Sequence, residues 1–190
     1  RQMPAHYSSK ELGIFSVASV VAASLLPACG LAWGTKLDGK KNVVITTVGD
    51  AGTRQGDFYE AVAFAKEKKL PLLFLVEDNG IGISSVTAEI TPLALGVLRE
   101  EDWIHIDACD VDQVHETIAP LMEEIRAGSG PKFVWCKTER ISSHSSADDH
   151  RKYRSAEELA ALESKDPINR LKASMITDGL LTEGEFQKFY

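Results

Sequence analysis

Short apolar runs of strand length alternate along the chain with amphipathic runs of helix length. The apolar runs predict four strands, over residues 42–48, 71–77, 103–108 and 132–138. The amphipathic runs predict helices at about 56–69, 91–99 and 111–127, with Asp57 and Thr91 as caps of the first two. The first two strands are apolar on both faces, as expected when helices cover both sides of a parallel sheet. The pattern therefore predicts a doubly wound α/β fold, with a mostly parallel sheet and helices on both faces.

The longest apolar stretch covers residues 14–34 and reads IFSVASVVAASLLPACGLAWG. It contains serines, glycines and Pro27, and it falls short of the ~18 to 20 uninterrupted apolar residues that span a bilayer. We interpret it as a buried helix.

The sequence becomes charged and helical in character at Ser155, with breaks at Asp166-Pro167 and Asp178-Gly179. We therefore predict an α/β domain over residues 1–154 and a helical C-terminal extension over residues 155–190. The chain starts at RQMPAHY without a methionine, and we expect the α/β domain to be truncated at its N-terminus.

Composition narrows the classes of partner. The 190 residues carry a formal net charge of -7 and contain no lysine- or arginine-rich run, which argues against nucleic acid as a ligand. Cys29, Cys109 and Cys136 are widely spaced and form no C-x-x-C pair, so neither a disulfide framework nor a zinc site is indicated. We expect a soluble protein of a reducing compartment, either cytoplasmic or, in a eukaryote, in the mitochondrial matrix.

Two predicted strands end in acidic or amide side chains beside glycine, at Gly49-Asp50 and at Asp78-Asn79-Gly80. Both are ordinary turn sequences. Ligands of open α/β sheets bind at the carboxyl ends of the strands, and this rule brings Asp50 and Asn79 to one crevice. Carboxylate, amide and carbonyl oxygens suit magnesium, which shares its other positions with phosphates and water. Spacing alone leaves both interpretations open, a pair of turns or a metal site.

Adjoining motifs bear on this choice. Gly49-Asp50 followed by Asn79-Gly80 resembles the thiamine-diphosphate motif, and GDFYEA with DNGIGIS resembles the alpha subunit of 2-oxo acid dehydrogenase decarboxylases. The resemblance extends to RQMPAHY at the start and to RISSHSSADDHRKYRS and DPINRL towards the end, so it covers most of the chain. RQMP with HY is most similar to the branched-chain (2-oxoisovalerate) member, and a pyruvate or acetoin member is the alternative.

The resemblance implies a set of cofactor and metal residues. Magnesium would be ligated by side-chain oxygens of Asp50 and Asn79 and by the backbone carbonyl of Ile81. Thiamine diphosphate would also contact residues that line its diphosphate or its aminopyrimidine, namely Gly49, Ala51, Gly52, Ser19 and Val21.

Two histidines fall in matching motifs. His144 matches an active-site histidine of a mobile loop, which would assist cofactor-bound intermediates and acyl transfer. His6 lies in the matched HY pair and could face the cleft.

The resemblance also implies a reaction and partners. In this family the cofactor supports decarboxylation of a 2-oxo acid, and the acyl group passes to the lipoyl group of an acyltransferase. A glutamate that activates the cofactor comes from a beta subunit. We therefore expect this chain to supply half of each active site in a heterotetramer of two alpha and two beta chains.

Several positions depart from the family pattern. Ala51 replaces a glycine, Asp78 replaces an asparagine, and Glu77 stands where a basic residue often supports the diphosphate. Glu77 could face the crevice and repel the diphosphate, or it could turn outward into solvent. The upstream Tyr-Arg segment that contacts phosphate is also absent. These departures favour a second hypothesis, a degenerate module that binds its partner without catalysis, whereas the presence of Asp50, Asn79 and His144 favours an enzyme.

Overall fold

A four-stranded parallel sheet forms the centre of the computed structural model, which describes residues 6–16 and 18–189. The strands, in chain order, are β1 (Val44–Gly49), β2 (Leu72–Asp78), β3 (Ile81–Gly82), β4 (Ser85–Val86), β5 (Ile104–Asp107) and β6 (Lys132–Lys137). The helices are α1 (Leu25–Leu37), α2 (Gly56–Lys68), α3 (Val111–Arg126), α4 (Ala156–Lys165), α5 (Pro167–Thr177) and α6 (Glu183–Phe186). The sheet order is β1-β2-β6-β5, and β3 pairs with β4 in a separate hairpin. The predicted α/β fold is confirmed, and each predicted strand lies within two residues of an observed one.

Apolar side chains cover the two faces of the sheet with different helices. On one face the even-numbered residues of β2 pack with α1 and α2 in an aromatic-rich core, where Phe74 stacks on Phe133 at 5.1 Å between ring centroids. On the other face Leu73 joins Leu121 and Ile125 of α3. The edge strand β1 departs from the prediction of two buried faces, because Ile45 remains 49% exposed.

The predicted helix at 91–99 is wrong. Thr91 does act as a cap, accepting a hydrogen bond from the Ala94 amide at 3.2 Å. Gly96 then adopts φ of +64°, a left-handed conformation that stops a helix, and the segment stays a series of turns.

The apolar stretch 14–34 is only partly helical. Helix α1 begins at Leu25, and the residues just before it form a turn in which Ala22 has φ of +64°. Helix α2 begins at Gly56 after Gln55, so Asp57 lies in the first turn and is not the cap that the sequence predicted.

Helices α4, α5 and α6 follow Ser155, where the sequence predicts a helical extension. Ser155 and Glu158 form a capping box at the start of α4. Asp166 ends α4 and caps α5, whose first residue is Pro167. Within residues 6–16 and 18–189, no helix is both long and apolar enough to cross a bilayer.

Candidate functional site

Asp50 lies immediately after β1 and is only 2% exposed. Its backbone is held on both sides, because its amide donates to the Glu77 carbonyl at 3.2 Å and its carbonyl accepts from the Thr53 hydroxyl at 2.5 Å. The Thr87 hydroxyl donates to Oδ2 of the Asp50 carboxylate. Asp50 is therefore a fixed, buried carboxylate at the carboxyl end of a parallel strand.

Two consecutive side-chain turns shape the end of the neighbouring strand β2. The Asp78 carboxylate accepts from the Gly80 amide at 2.8 Å, and Asn79 Oδ1 accepts from the Ile81 amide at 3.1 Å. The Trp135 indole also donates to Asp78 at 2.8 Å, with Lys137 Nζ at 3.4 Å. Asp78, which departs from the family pattern, is thus paired with Trp135 and Lys137 of the neighbouring strand and stabilises the turn that carries Asn79.

The hairpin pairing indicates the direction of the Ile81 carbonyl. The Thr87 amide donates to the Gly80 carbonyl at 3.0 Å, and Ile81 faces Val86 in the antiparallel register. Hydrogen-bonded and non-hydrogen-bonded pairs alternate along such a ladder. The Ile81 carbonyl therefore points away from β4, on the same side as the Ile81 amide that reaches Asn79.

Close packing brings further predicted residues to this turn. Residues 51–54 form a 3₁₀ turn directly after Asp50. A Cβ atom added to Gly52 would lie 2.7 Å from Val48 and 3.2 Å from Val21, so Val21 packs against the Gly52 backbone. A Cβ atom added to Gly82 would lie 2.6 Å from the Cβ of Ala51. The strand end at Gly49, the turn, Val21 and the hairpin therefore meet around Asp50.

Ser19 and His6 form a separate contact in the N-terminal segment. Ser19 Oγ and His6 Nε2 lie 2.8 Å apart, and both residues are at least partly exposed. Ser19 is thus paired with the histidine that the sequence singled out. The RQMP part of the motif lies outside the described residues.

The predicted catalytic histidine lies on the loop that follows β6. His144 is exposed, and its backbone amide donates to Asp148 at 2.9 Å. The Tyr153 hydroxyl donates to the same Asp148 oxygen at 2.5 Å, and Arg140 donates to Tyr153 at 2.7 Å. These bonds lower the pKa of Asp148, with the Tyr153 hydrogen bond as the largest cause. Asp148, Tyr153 and Arg140 all belong to the same loop as His144, between β6 and α4.

Arg140 connects this loop to the hairpin beside Asp50. One of its terminal nitrogens donates to the Ile83 carbonyl at 2.8 Å as well as to Tyr153. Ile83 has φ of +58°, a conformation that is rare for a β-branched residue. The Arg140 hydrogen bond therefore helps to hold a strained turn at the tip of the hairpin.

The position of Glu77 in β2 indicates which way its side chain points. Side chains alternate along a strand, so Glu77 lies on the face of Leu73 and Leu75, opposite Asp78. Glu77 is exposed. Of the two orientations that the sequence left open, facing the crevice or facing solvent, the structure therefore favours the one facing solvent.

The oxygens of Asp50, Asn79 and Ile81 suit a small, hard cation whose coordination shell is completed by a phosphate. One carboxylate, one amide oxygen and one backbone carbonyl are hard oxygen ligands, and magnesium commonly takes few protein ligands together with substrate phosphates. No cluster of three or more His, Cys, Asp or Glu side chains with metal-binding geometry occurs within the described part of the chain. A cavity of about 580 Å³ borders the same turn through Asp78, but its lining contains none of the predicted cofactor or metal residues.

The family model described as "Dehydrogenase E1 component" matches residues 1–190. This chain belongs to the dehydrogenase E1 component family. Among its E1 relatives, the 2-oxoisovalerate dehydrogenase subunit alpha 1, mitochondrial, of Arabidopsis thaliana is 31% identical over 99% of this chain and 41% of the relative. The pyruvate dehydrogenase E1 component subunit alpha of Staphylococcus epidermidis is 34% identical over 86% of this chain and 46% of the relative. The chain thus spans less than half the length of these curated relatives.

A solved structure superimposes on part of this chain. It comes from Mycobacterium smegmatis and was described as a candidate thiamin diphosphate-dependent enzyme. It superimposes with a TM-score of 0.46 at 21% identity, over 64% of this chain and 22% of that chain.

Three residues around the site of this E1 chain were not singled out from the sequence: Thr87, Arg140 and Tyr153. Thr87 follows a hairpin of two-residue strands, which is too short for a periodic pattern to reveal. Arg140 and Tyr153 lie in motifs that the sequence did single out, but their mutual contact depends on how the loop folds.

Proposed function

We propose that this chain is part of the alpha subunit of a thiamine-diphosphate-dependent 2-oxo acid dehydrogenase that acts on a branched-chain 2-oxo acid. The observation that carries the proposal is the buried Asp50 carboxylate at the end of β1, beside the turn that bears Asn79 and Ile81 at the end of β2. A parallel sheet offers such a crevice for ligands, and a buried carboxylate is costly unless it is hydrogen-bonded or paired with a cation. Membership of the E1 component family supplies the cofactor class.

Each residue of the set has an assigned role. Magnesium would be held by Asp50, Asn79 and the Ile81 carbonyl and would offset the charge of the diphosphate. Gly49, Ala51 and Gly52 line the diphosphate, because small residues let the backbone approach it closely. Ser19 and Val21 contact the aminopyrimidine, and the contact of Val21 with Gly52 supports this assignment. Bound thiamine diphosphate supplies the nucleophilic carbon for decarboxylation of the 2-oxo acid.

His144 acts from the loop after β6. Its exposure is compatible with a role in the transfer of the acyl group to an external lipoyl carrier, since the imidazole is free to approach an incoming group. The backbone contact with Asp148 orients the segment that bears the ring. A lipoyl-bearing acyltransferase accepts the acyl group, and a beta subunit completes a heterotetramer.

The branched-chain substrate is favoured by the Arabidopsis relative, which matches over nearly the whole chain. The second candidate is pyruvate, which the staphylococcal relative favours with a slightly higher identity over a shorter match. A pocket discriminates one methylene by only about 10- to 200-fold, so a direct comparison of kcat/KM for 2-oxoisovalerate and pyruvate is required.

The test uses the full-length subunit assembled with its beta subunit. Calorimetric titration with thiamine diphosphate should give binding that requires magnesium, and decarboxylation of 2-oxo acids should require both subunits. Asp50→Ala should abolish the magnesium-dependent binding while the protein stays folded by circular dichroism. Equal cofactor affinity in Asp50→Ala would reduce Asp50 to a turn residue. Lack of cofactor binding by the parent would favour the non-catalytic module instead.

A further inference from the structure

The hairpin of β3 and β4 delivers a hydroxyl to the Asp50 carboxylate. Thr87 directly follows β4 and is 1% exposed, and its hydroxyl donates to Asp50 Oδ2. Its amide donates to the Gly80 carbonyl at 3.0 Å, and its carbonyl accepts from the Ile90 amide at 2.9 Å. Because its backbone is bonded on both sides, Thr87 presents the hydroxyl from a fixed position.

The main chain of Asp50 is equally fixed, by bonds to Glu77 and Thr53. The freedom that remains is rotation of the carboxylate about its side-chain bonds. The Thr87 hydroxyl occupies Oδ2 and so determines where Oδ1 points. A hydrogen bond to an ionised carboxylate is stronger than one between neutral groups, and both partners here are shielded from water.

The hairpin reaches this position because small residues allow it. Gly82 of β3 packs so closely on Ala51 that any side chain at Gly82 would collide with the Ala51 methyl group. The spacing between the hairpin and the turn after Asp50 is therefore set by direct contact, and the Thr87 hydroxyl is held in register with the carboxylate.

We infer that Thr87 is a positioning residue for the metal site, which holds the Asp50 carboxylate in the orientation that ligates the cation. The inference rests on the proposed function. Groups that hydrogen-bond to metal-ligating side chains commonly contribute 10- to 100-fold to metal affinity. Thr87 acts through Asp50 and does not itself touch the metal.

The experiment measures metal affinity in the full-length subunit assembled with its beta subunit, with Mn²⁺ as the probe. Electron paramagnetic resonance titration in the presence of thiamine diphosphate reports bound Mn²⁺ without any turnover. Thr87→Val, which keeps the shape and removes the donor, should weaken Mn²⁺ about 10- to 100-fold. Thr87→Ser, which keeps the donor, should stay within about threefold of the parent, because a hydroxyl is retained.

Two further variants distinguish loss of carboxylate orientation from a general loss of protein stability. Thr87→Cys keeps a weak donor and should give an intermediate loss. Thr46→Val changes another buried threonine, on β1, and should leave Mn²⁺ affinity unchanged. A Thr87→Val protein that fails to fold leaves the Ser and Cys variants to decide, and equal affinity in parent, Ser and Cys variants would overturn the inference. A parent that binds no Mn²⁺ with the cofactor would instead refute the proposed function.

Discussion

Two carboxylates at the end of β1 and β2 have opposite surroundings. Asp50 is buried and hydrogen-bonded, whereas Glu77, its hydrogen-bonding neighbour through the backbone, is exposed on the other face of the sheet. A charge in water is screened by solvent and salt, but a buried charge acts strongly on what lies beside it. Of these two carboxylates, Asp50 therefore lies where solvent screens it least.

Reversal of the charge at Glu77 tests this distinction. We expect Glu77→Arg to change the thiamine diphosphate affinity of the assembled full-length enzyme by less than about twofold, because an exposed charge is largely screened. The measurement is calorimetric titration at two salt concentrations. A salt-sensitive gain of about tenfold, equivalent to ~1.4 kcal/mol, would mean that residue 77 faces the diphosphate after all.

At the level of elements, the hairpin and the turn after β1 form a matched pair of small residues. Ala51 stands where the family resemblance implies a glycine, and its methyl group fills the space that a side chain at Gly82 would need. The departure at Ala51 is thus accommodated by a glycine in the facing element. The two positions are expected to be energetically coupled, since neighbouring sites do not contribute additively.

A double-mutant cycle measures this coupling. Gly82→Ala should lower the free energy of unfolding by about 1 to 3 kcal/mol through overpacking. Adding Ala51→Gly should recover most of the loss, because it removes the methyl group in conflict. Urea denaturation provides the measurement, and Gly30→Ala is the matched control because a methyl group there meets no atom within 4 Å. Additive effects of the two changes would show that Ala51 and Gly82 are independent.

The elements also show where the sequence pattern was sufficient. The runs that became β1, β2 and β6 are long and apolar, and their ends correctly brought Asp50 and Asn79 to neighbouring strands. The segment at 91–99 is apolar too, but Leu93 and Leu98 reach the core from turns around Gly96. A local period cannot distinguish burial by a helix from burial by turns. The Thr87 contact was beyond prediction because residues 50 and 87 meet only through tertiary packing.

On the scale of the whole molecule, buried thiols lie in the cores on both faces of the sheet. Cys29 of α1 lies in the core beside α2, and Cys136 of β6 lies on the face covered by α3. Burial raises the pKa of each thiol to about 11, and the charge of Glu77 adds to the effect at Cys136. Both thiols are therefore protonated and inert in the native protein at neutral pH.

These thiols predict how stability depends on alkaline pH. An unfolded cysteine ionises near ~8.5, below the folded value, so the thiols favour the native state below that pH. Their contribution is lost as the pH rises from ~8.5 towards the folded pKa of about 11. Urea unfolding between about pH 8 and about pH 10.5 should show this loss, and a Cys29→Ala, Cys136→Ala variant should show less of it. An identical slope in both proteins would contradict the prediction.

The C-terminal helices are joined to the sheet by ion pairs. Arg170 of α5 lies 2.9 Å from Asp107 at the end of β5, and Lys165 of α4 lies 2.6 Å from Glu139 just after β6. The predicted boundary between the α/β domain (1–154) and the helical extension (155–190) remains a prediction. Exposed ion pairs contribute little energy individually, so these contacts orient the helices more than they stabilise them.

Arg140 links the hairpin of β3 and β4 to the loop that carries His144. One guanidinium holds both the tip of the hairpin, at Ile83, and Tyr153 of the loop that carries His144. Through Thr87 the same hairpin holds the Asp50 carboxylate. Under the proposed function, a cation that fixes the hairpin would also favour the loop arrangement that Arg140 holds, and by reciprocity a ligand that favours this arrangement would strengthen binding of the cation. Cofactor binding and acyl transfer would then be thermodynamically coupled through Arg140.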